Sequence, residues 1–223
     1  MVRKFNLRRK ALLGAWAGLA ALLALAMPGA LPRVMAAPEK LDVDVAELMK
    51  QGDMPDNVLG KEDAPGTIIE YSSMTCPHCA DFHKTELPKL KAKYIDTGKA
   101  KYILREFPID NLAAAAFMLA RCVDKAKYFE FIELLYSHQE DWAFKSNPVP
   151  ELQKFAKQVG FTEERFNQCI TDEKTLKYLE WVRERASKQF GIRATPSFIV
   201  NGKKIKGAST IEAFDELLEP KAK

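Results

Sequence analysis

The sequence predicts an α/β fold in which a long helical block separates two early strands from a late hairpin. Three observations carry this. The β-branched, apolar run "TIIEYSS", Thr67 to Ser73, ends directly before "CPHC", where the pattern turns helical. Residues 111 to about 190 show helical periodicity with no strand signal between. The stretch "TPSFIVNGKKIKG" then returns to strand, with Asn201-Gly202 as a type I′ turn.

The first element is a leader. Residues 1–36 carry six basic residues and no acid, and "ALLGAWAGLAALLALAM", Ala11 to Met27, has no charged or polar side chain. Pro28, Gly29 and Pro32 then break any helix, and "VMAAP" supplies small residues. A basic region, an apolar region and a small-residue site read as a secretory signal peptide cut after Ala36. The alternative is an uncleaved anchor, since residues 11–27 span roughly 25 Å as a helix, at the short edge for a bilayer. "LRRKALL" weakly resembles a twin-arginine export signal. Beyond the leader, 28 basic residues stand against 30 acidic ones, a net charge of −2, so a nucleic-acid role has no electrostatic support. With 47% hydrophobic and 29% charged residues, the chain can build a sizeable core.

Residues 37–66 form an N-terminal extension: "EKLDVDVAELMKQG" predicts a short helix, and "DMPDNVLGKEDAPG" a turn-rich approach. Pro77 suits the first turn of the helix that follows the first strand, and Pro88 is expected to kink that helix. "AKYILREFPI", Ala100 to Ile109, is the second strand, ended by Pro108. Asn111 and Thr162 read as caps within the helical block, and Ser209 as the N-cap of a closing amphipathic helix. The divisions predicted are 67–110 and 191–223 for the α/β part and 111–190 for the inserted helices.

The chemistry centres on Cys76 and Cys79, two of four cysteines. Cys76 falls where a strand meets a helix N-terminus, so free N–H groups and the helix dipole favour a thiolate. His78, when protonated, adds positive charge. Each pKa unit by which the thiolate is stabilised below ambient pH favours the reduced pair by about 1.4 kcal/mol, or roughly 30 mV. A structural zinc site needs four ligands; Cys122 and Cys169 are isolated, and His83 completes at most a partial set, so no metal is expected. Covalent haem needs a histidine after the second cysteine, where Ala80 stands. No other cofactor is expected. In an exported chain four cysteines favour disulfides, and sequence leaves three pairings open. Cys122 and Cys169 both lie on apolar helix faces that suit two packed helices; buried free thiols are the alternative.

"IIEYSSMTCPHC", the helical block and "ATPSFIVNG" together resemble the DsbA-type thiol:disulfide oxidoreductases, over roughly Thr67 to Glu219. The resemblance implies a thioredoxin-like fold with an inserted α-helical domain. It implies that Cys76 is the exposed nucleophile, Cys79 the more buried partner, and Pro196 a cis-proline facing them, with Thr195 before it. It further implies that Glu70, an acid inside an apolar strand, assists proton transfer at Cys79; a solvated edge-facing glutamate is the other reading. Some members carry a second bridge, which supports a Cys122–Cys169 disulfide. His83 and His138 have no motif support and read as surface or helix-packing residues.

The expected activity is the introduction of disulfides into reduced exported polypeptides in the periplasm, with a membrane quinone-linked protein reoxidising the pair. A disulfide isomerase or reductase of the same fold is the nearest alternative, and a non-catalytic chaperone or binding domain the alternative from another class.

Overall fold

The computed structural model describes residues 43–206 and 210–219. The leader, including residues 11–27, and Ser209 lie outside the described residues. Helix α1 (Val45–Leu48) is capped by the Asp44 carboxylate, which accepts from the Glu47 N–H. Strands β1 (Asn57–Leu59) and β2 (Gly66–Ser72) follow, and then α2 (Pro77–Thr85). At Gly66 a Cβ would lie 2.9 Å from the Lys99 carbonyl, so the strand starts where only glycine fits. Pro88 interrupts the helix, because a proline ring clashes with the carbonyl four residues earlier. The break falls at Glu86; α3 (Leu87–Leu90) continues into a π-helical turn, Lys91–Ile95.

Strand β3 (Ala100–Glu106) returns parallel to β2, with Glu70 opposite Leu104. The helical block holds α4 (Asn111–Cys122), α5 (Tyr128–Ser137), α6 (Gln139–Trp142), α7 (Pro148–Gln158), α8 (Glu163–Ile170) and α9 (Glu173–Gln189). Strands β4 (Ser197–Val200) and β5 (Lys203–Lys206) form the hairpin, and α10 (Ile211–Leu218) closes the described chain. The sheet order is β1-β3-β2-β4-β5, with β2–β3 the parallel pair. Asn201 and Gly202 have φ of 49° and 79°, as a type I′ turn requires. The Asn201 side chain also accepts from the Thr67 N–H and donates to the Leu217 carbonyl, fastening the turn to β2 and α10.

Three expectations are corrected. The approach to β2 contains β1, a three-residue antiparallel edge strand too short to show periodicity among its flanking turn residues. The cap of α4 is Asp110, not Asn111: one carboxylate oxygen accepts from the Ala113 N–H at 2.7 Å and the other from Thr75 at 2.6 Å. Asn111 is the first helical residue. Thr162 caps α8, accepting from the Arg165 N–H. At α10 the N-cap is Thr210, not the expected Ser209, and the Glu86 carboxylate accepts the Ile211 N–H at 2.9 Å from across the fold.

The core under β2 is aromatic: Phe82, Phe198 and Phe214 meet with centroids 4.5–6.0 Å apart. On the other side a buried guanidinium fastens the extension. Arg105 forms a two-pronged pair with Asp56 at 2.8 and 3.1 Å and donates to the Leu48 carbonyl and the Tyr71 hydroxyl. Arg185 donates to the Lys50 and Glu47 carbonyls. Cys122 and Cys169 are joined, bridging α4 to α8 across 47 residues.

Replacing Asp56 with Ala leaves the Arg105 charge buried and unpaired, and should lower unfolding free energy by about 3–5 kcal/mol in urea titrations. The double change Cys122→Ser and Cys169→Ser should lower it by about 4 kcal/mol through the entropy of a 47-residue loop; loss below about 1 kcal/mol would remove the bridge as a stabilising element.

Candidate active site

Strand β2 ends at Ser72, and four residues later the chain enters α2 at Cys76, which occupies the N-cap without a side-chain cap bond. Pro77 at the next position has no N–H to satisfy, so the first-turn donors that remain are those of His78 and Cys79. The geometry therefore gathers backbone N–H groups around a sulfur.

Cys76 and Cys79 are free thiols. Cys76, expected to be exposed, is buried at 6% exposure, and Cys79 is buried completely. The Cys76 Sγ lies 3.3 Å from the Thr195 carbonyl oxygen, to which the thiol donates. The Thr195-Pro196 bond is cis and lies against the sulfur. The Cys76 pKa falls from 9.0 to about 5. The largest cause is a hydrogen bond from the Cys79 thiol; the Thr195 side chain and the backbone N–H groups of Cys79 and His78 add to it, against burial. Cys79 moves the other way. Burial pushes its thiol up most, followed by its bond to Cys76 and the negative charge of Glu70. The two thiols are thus pushed in opposite directions, Cys76 towards ionisation and Cys79 away from it.

His78 is exposed, and its contribution to Cys76 comes through its backbone N–H. Glu70 is buried completely, not solvated at an edge. Its carboxylate accepts from the Tyr102 hydroxyl and lies 3.2 Å from the His83 Nε2. His83, read from sequence as a surface or packing residue, is buried within this group, its ring 4.2 Å from that of Tyr136. The one sequence signal available was spacing: His83 follows Cys79 by four, on the same helix face. His138 is exposed beside Asp141.

The helical block also holds the loop before Cys76. The Gln139 side chain donates to the Met74 and Cys76 carbonyls at 2.7 and 3.1 Å, Asp110 accepts from Thr75, and the Tyr136 and Ser72 hydroxyls are 2.7 Å apart. None of these contacts is visible in local sequence. Among the described residues no cluster of ligating side chains could hold a metal ion, and no helix is long and apolar enough to cross a membrane.

A C-x-x-C pair opening the helix after a central strand, set against a cis-proline, defines a thioredoxin-like protein with a helical insertion. The chain belongs to the thioredoxin family: the family model described as "Thioredoxin" matches residues 53–220. A Rickettsia bellii protein provisionally named a protein-disulfide oxidoreductase is 34% identical over 165 residues, 74% of this chain. The chain spans 64% of that relative's length. The crystal structure of Wolbachia pipientis alpha-DsbA1 superposes with a TM-score of 0.71 at 32% identity, covering 78% of this chain and 94% of that one. Oxidised BdbD from Bacillus subtilis shares the fold, with a TM-score of 0.67 at 24% identity over 82% of this chain and 96% of its own.

The Cys76 pKa makes the stability of the reduced protein depend on pH. Its folded value lies below the unfolded one, so between about pH 5 and 9 the unfolded state binds the extra proton and stability rises with pH. The disulfide form lacks this group. The stability difference, reduced minus oxidised, should grow by about 1.4 kcal/mol per pH unit above pH 5 and level off as pH falls through that value. Guanidinium unfolding of both forms measures it, and a difference flat across that range would contradict a stabilised thiolate.

Proposed function

We propose that this chain is a protein-disulfide oxidoreductase that works in the oxidising direction on exported polypeptides. The observation that carries the direction is the pKa of about 5 at Cys76. At pH 7 that ionisation stabilises the reduced pair by roughly 3 kcal/mol, on the order of 60 mV for two electrons. A pair more stable when reduced gives its disulfide away.

In the reaction a substrate thiolate attacks the Cys76 Sγ. The new sulfur–sulfur bond forms as the Cys76–Cys79 bond breaks, and its electron pair passes to Cys79, which takes up a proton. A second substrate thiolate then attacks the substrate sulfur of the mixed disulfide, and Cys76 leaves as the stabilised thiolate. Two electrons have moved from substrate to the pair. Thr195 and Pro196, against the reactive sulfur, align the substrate backbone. Ile109, exposed at the head of α4 with its N–H donating to the Ser73 hydroxyl, adds an apolar contact beside the site.

Export rests on the basic-then-apolar leader of residues 1–36, and an oxidising compartment such as the periplasm follows from it. Retention through residues 11–27 would tether the catalyst to the membrane. Turnover needs an electron acceptor, and the DsbA-type resemblance supports a membrane quinone-linked oxidase in that role.

Replacing Cys76 with Ser should abolish oxidation of a reduced, unfolded test protein carrying several thiols, followed by loss of free thiol under an added oxidant. Activity retained by that variant, or thiolate absorbance that titrates as an ordinary cysteine in the wild type, ends this reading.

A further inference from the structure

The sheet ends in two unlike edges. On one side β5 carries Lys203, Lys204 and Lys206, and lysines on an edge strand are a common guard against edge-to-edge pairing. On the other side β1 reads Asn57-Val58-Leu59, with neither lysine nor proline. Among the described residues β1 pairs with β3 alone, and no other backbone hydrogen bond reaches residues 57–59. A strand bonded on one side directs N–H and C=O groups outward on the other.

A groove of about 630 Å³ runs along this edge. Its strand wall includes Val58 and Leu59, both half-buried; its other wall comes from the 3₁₀ turn Lys125–Lys127 and from α5. Lys125, Phe129 and Glu133 line that wall at steps of four residues, which places them on one face. Lys125 marks the Asn57 end, since both residues also line the neighbouring cavity by Pro55 and Arg121. The acids Glu130 and Glu133 lie towards the other end, with half-buried Phe129 between them and Lys125. Lys125, Glu130 and Glu133 are exposed, and among the described residues none of the three forms an ion pair.

We propose that β1 is an association edge whose occupant is a second copy of this chain, paired antiparallel about a two-fold axis that passes beside Val58 and Phe129. Val58 then meets Val58, Asn57 meets Leu59, and the two five-stranded sheets become one. The same rotation brings Lys125 of each copy towards Glu130 and Glu133 of the other. A patch with opposite charges at its two ends and apolar side chains at its centre is complementary to itself when turned through 180°. An extended peptide of another chain could meet the backbone groups; the ordered charges single out the copy. Three residues supply few backbone bonds, so the dimer is weak and forms as concentration rises.

Because the rotation reverses strand direction, the Cys76 ends of the two β2 strands point to opposite ends of the joined sheet. Each reactive pair works on its own client, and the two cannot close on one polypeptide held between them. Association of this kind does not depend on the redox chemistry.

Sedimentation velocity of the full chain in mild detergent, over a dilution series, measures the association, and amide hydrogen exchange at residues 57–59 locates it. The wild type should pass from monomer to dimer as concentration rises, and exchange at that strand should slow on the order of 10-fold once most chains are paired. Lys125→Glu and Glu133→Lys should each weaken dimerisation on the order of 10-fold, and the two together should restore it to within about threefold of the wild type. Both side chains are exposed, so neither change threatens the fold, and all three variants should open the Cys76–Cys79 disulfide with dithiothreitol at the wild-type rate. A wild type that stays monomeric throughout, or a dimer indifferent to both single reversals, would overturn the proposal. So would exchange at residues 57–59 that ignores concentration, or that slows only when a reduced client polypeptide is added.

Discussion

A helix that begins at a cysteine is the constraint on which the structure turns. The Cys76 sulfur makes no full cap hydrogen bond to α2, and Pro77 removes one donor, so the first-turn N–H groups of His78 and Cys79 face the sulfur and favour its thiolate. That arrangement stabilises an anion only while the loop from Ser72 to Thr75 is held. The helical insertion supplies the holding groups: Gln139 on the Met74 and Cys76 carbonyls, Asp110 on Thr75, and Tyr136 on Ser72. From the sheet side, Thr195 at the head of β4 closes over the sulfur. The insertion thus fixes the backbone that carries the first-turn N–H groups to the Cys76 sulfur.

What the sequence disclosed follows the range of each interaction. The strand before CPHC, the helical run after residue 110 and the Asn201-Gly202 turn are set by neighbours a few residues away, so their patterns are readable. Strand β1 was not, because three residues held by pairing with Leu104, Ile103 and Tyr102 carry no period of their own. The α4 cap moved from Asn111 to Asp110 because the carboxylate also serves Thr75, 35 residues earlier. Glu86 satisfies the N-terminus of α10 from 125 residues away. His83 went unread for the same reason: the face it occupies becomes polar only when Glu70, Tyr102 and Tyr136 arrive from three other elements.

Two buried glutamates on neighbouring strands are held in opposite ways. Glu106, at the end of β3, accepts from Arg121 through both carboxylate oxygens at 2.7 and 2.9 Å, and from Tyr128 at 2.9 Å. A guanidinium never gives up its proton under these conditions, so that pair is locked: it can stabilise α4 against β3 but cannot pass a proton. Glu70, in β2, is equally buried, yet its partners are a phenol and an imidazole, and one of its oxygens is left unpaired. Had stability alone shaped the site, the arginine solution used one strand away would serve better. The partner present instead is the imidazole of His83, one helical turn beneath Cys79.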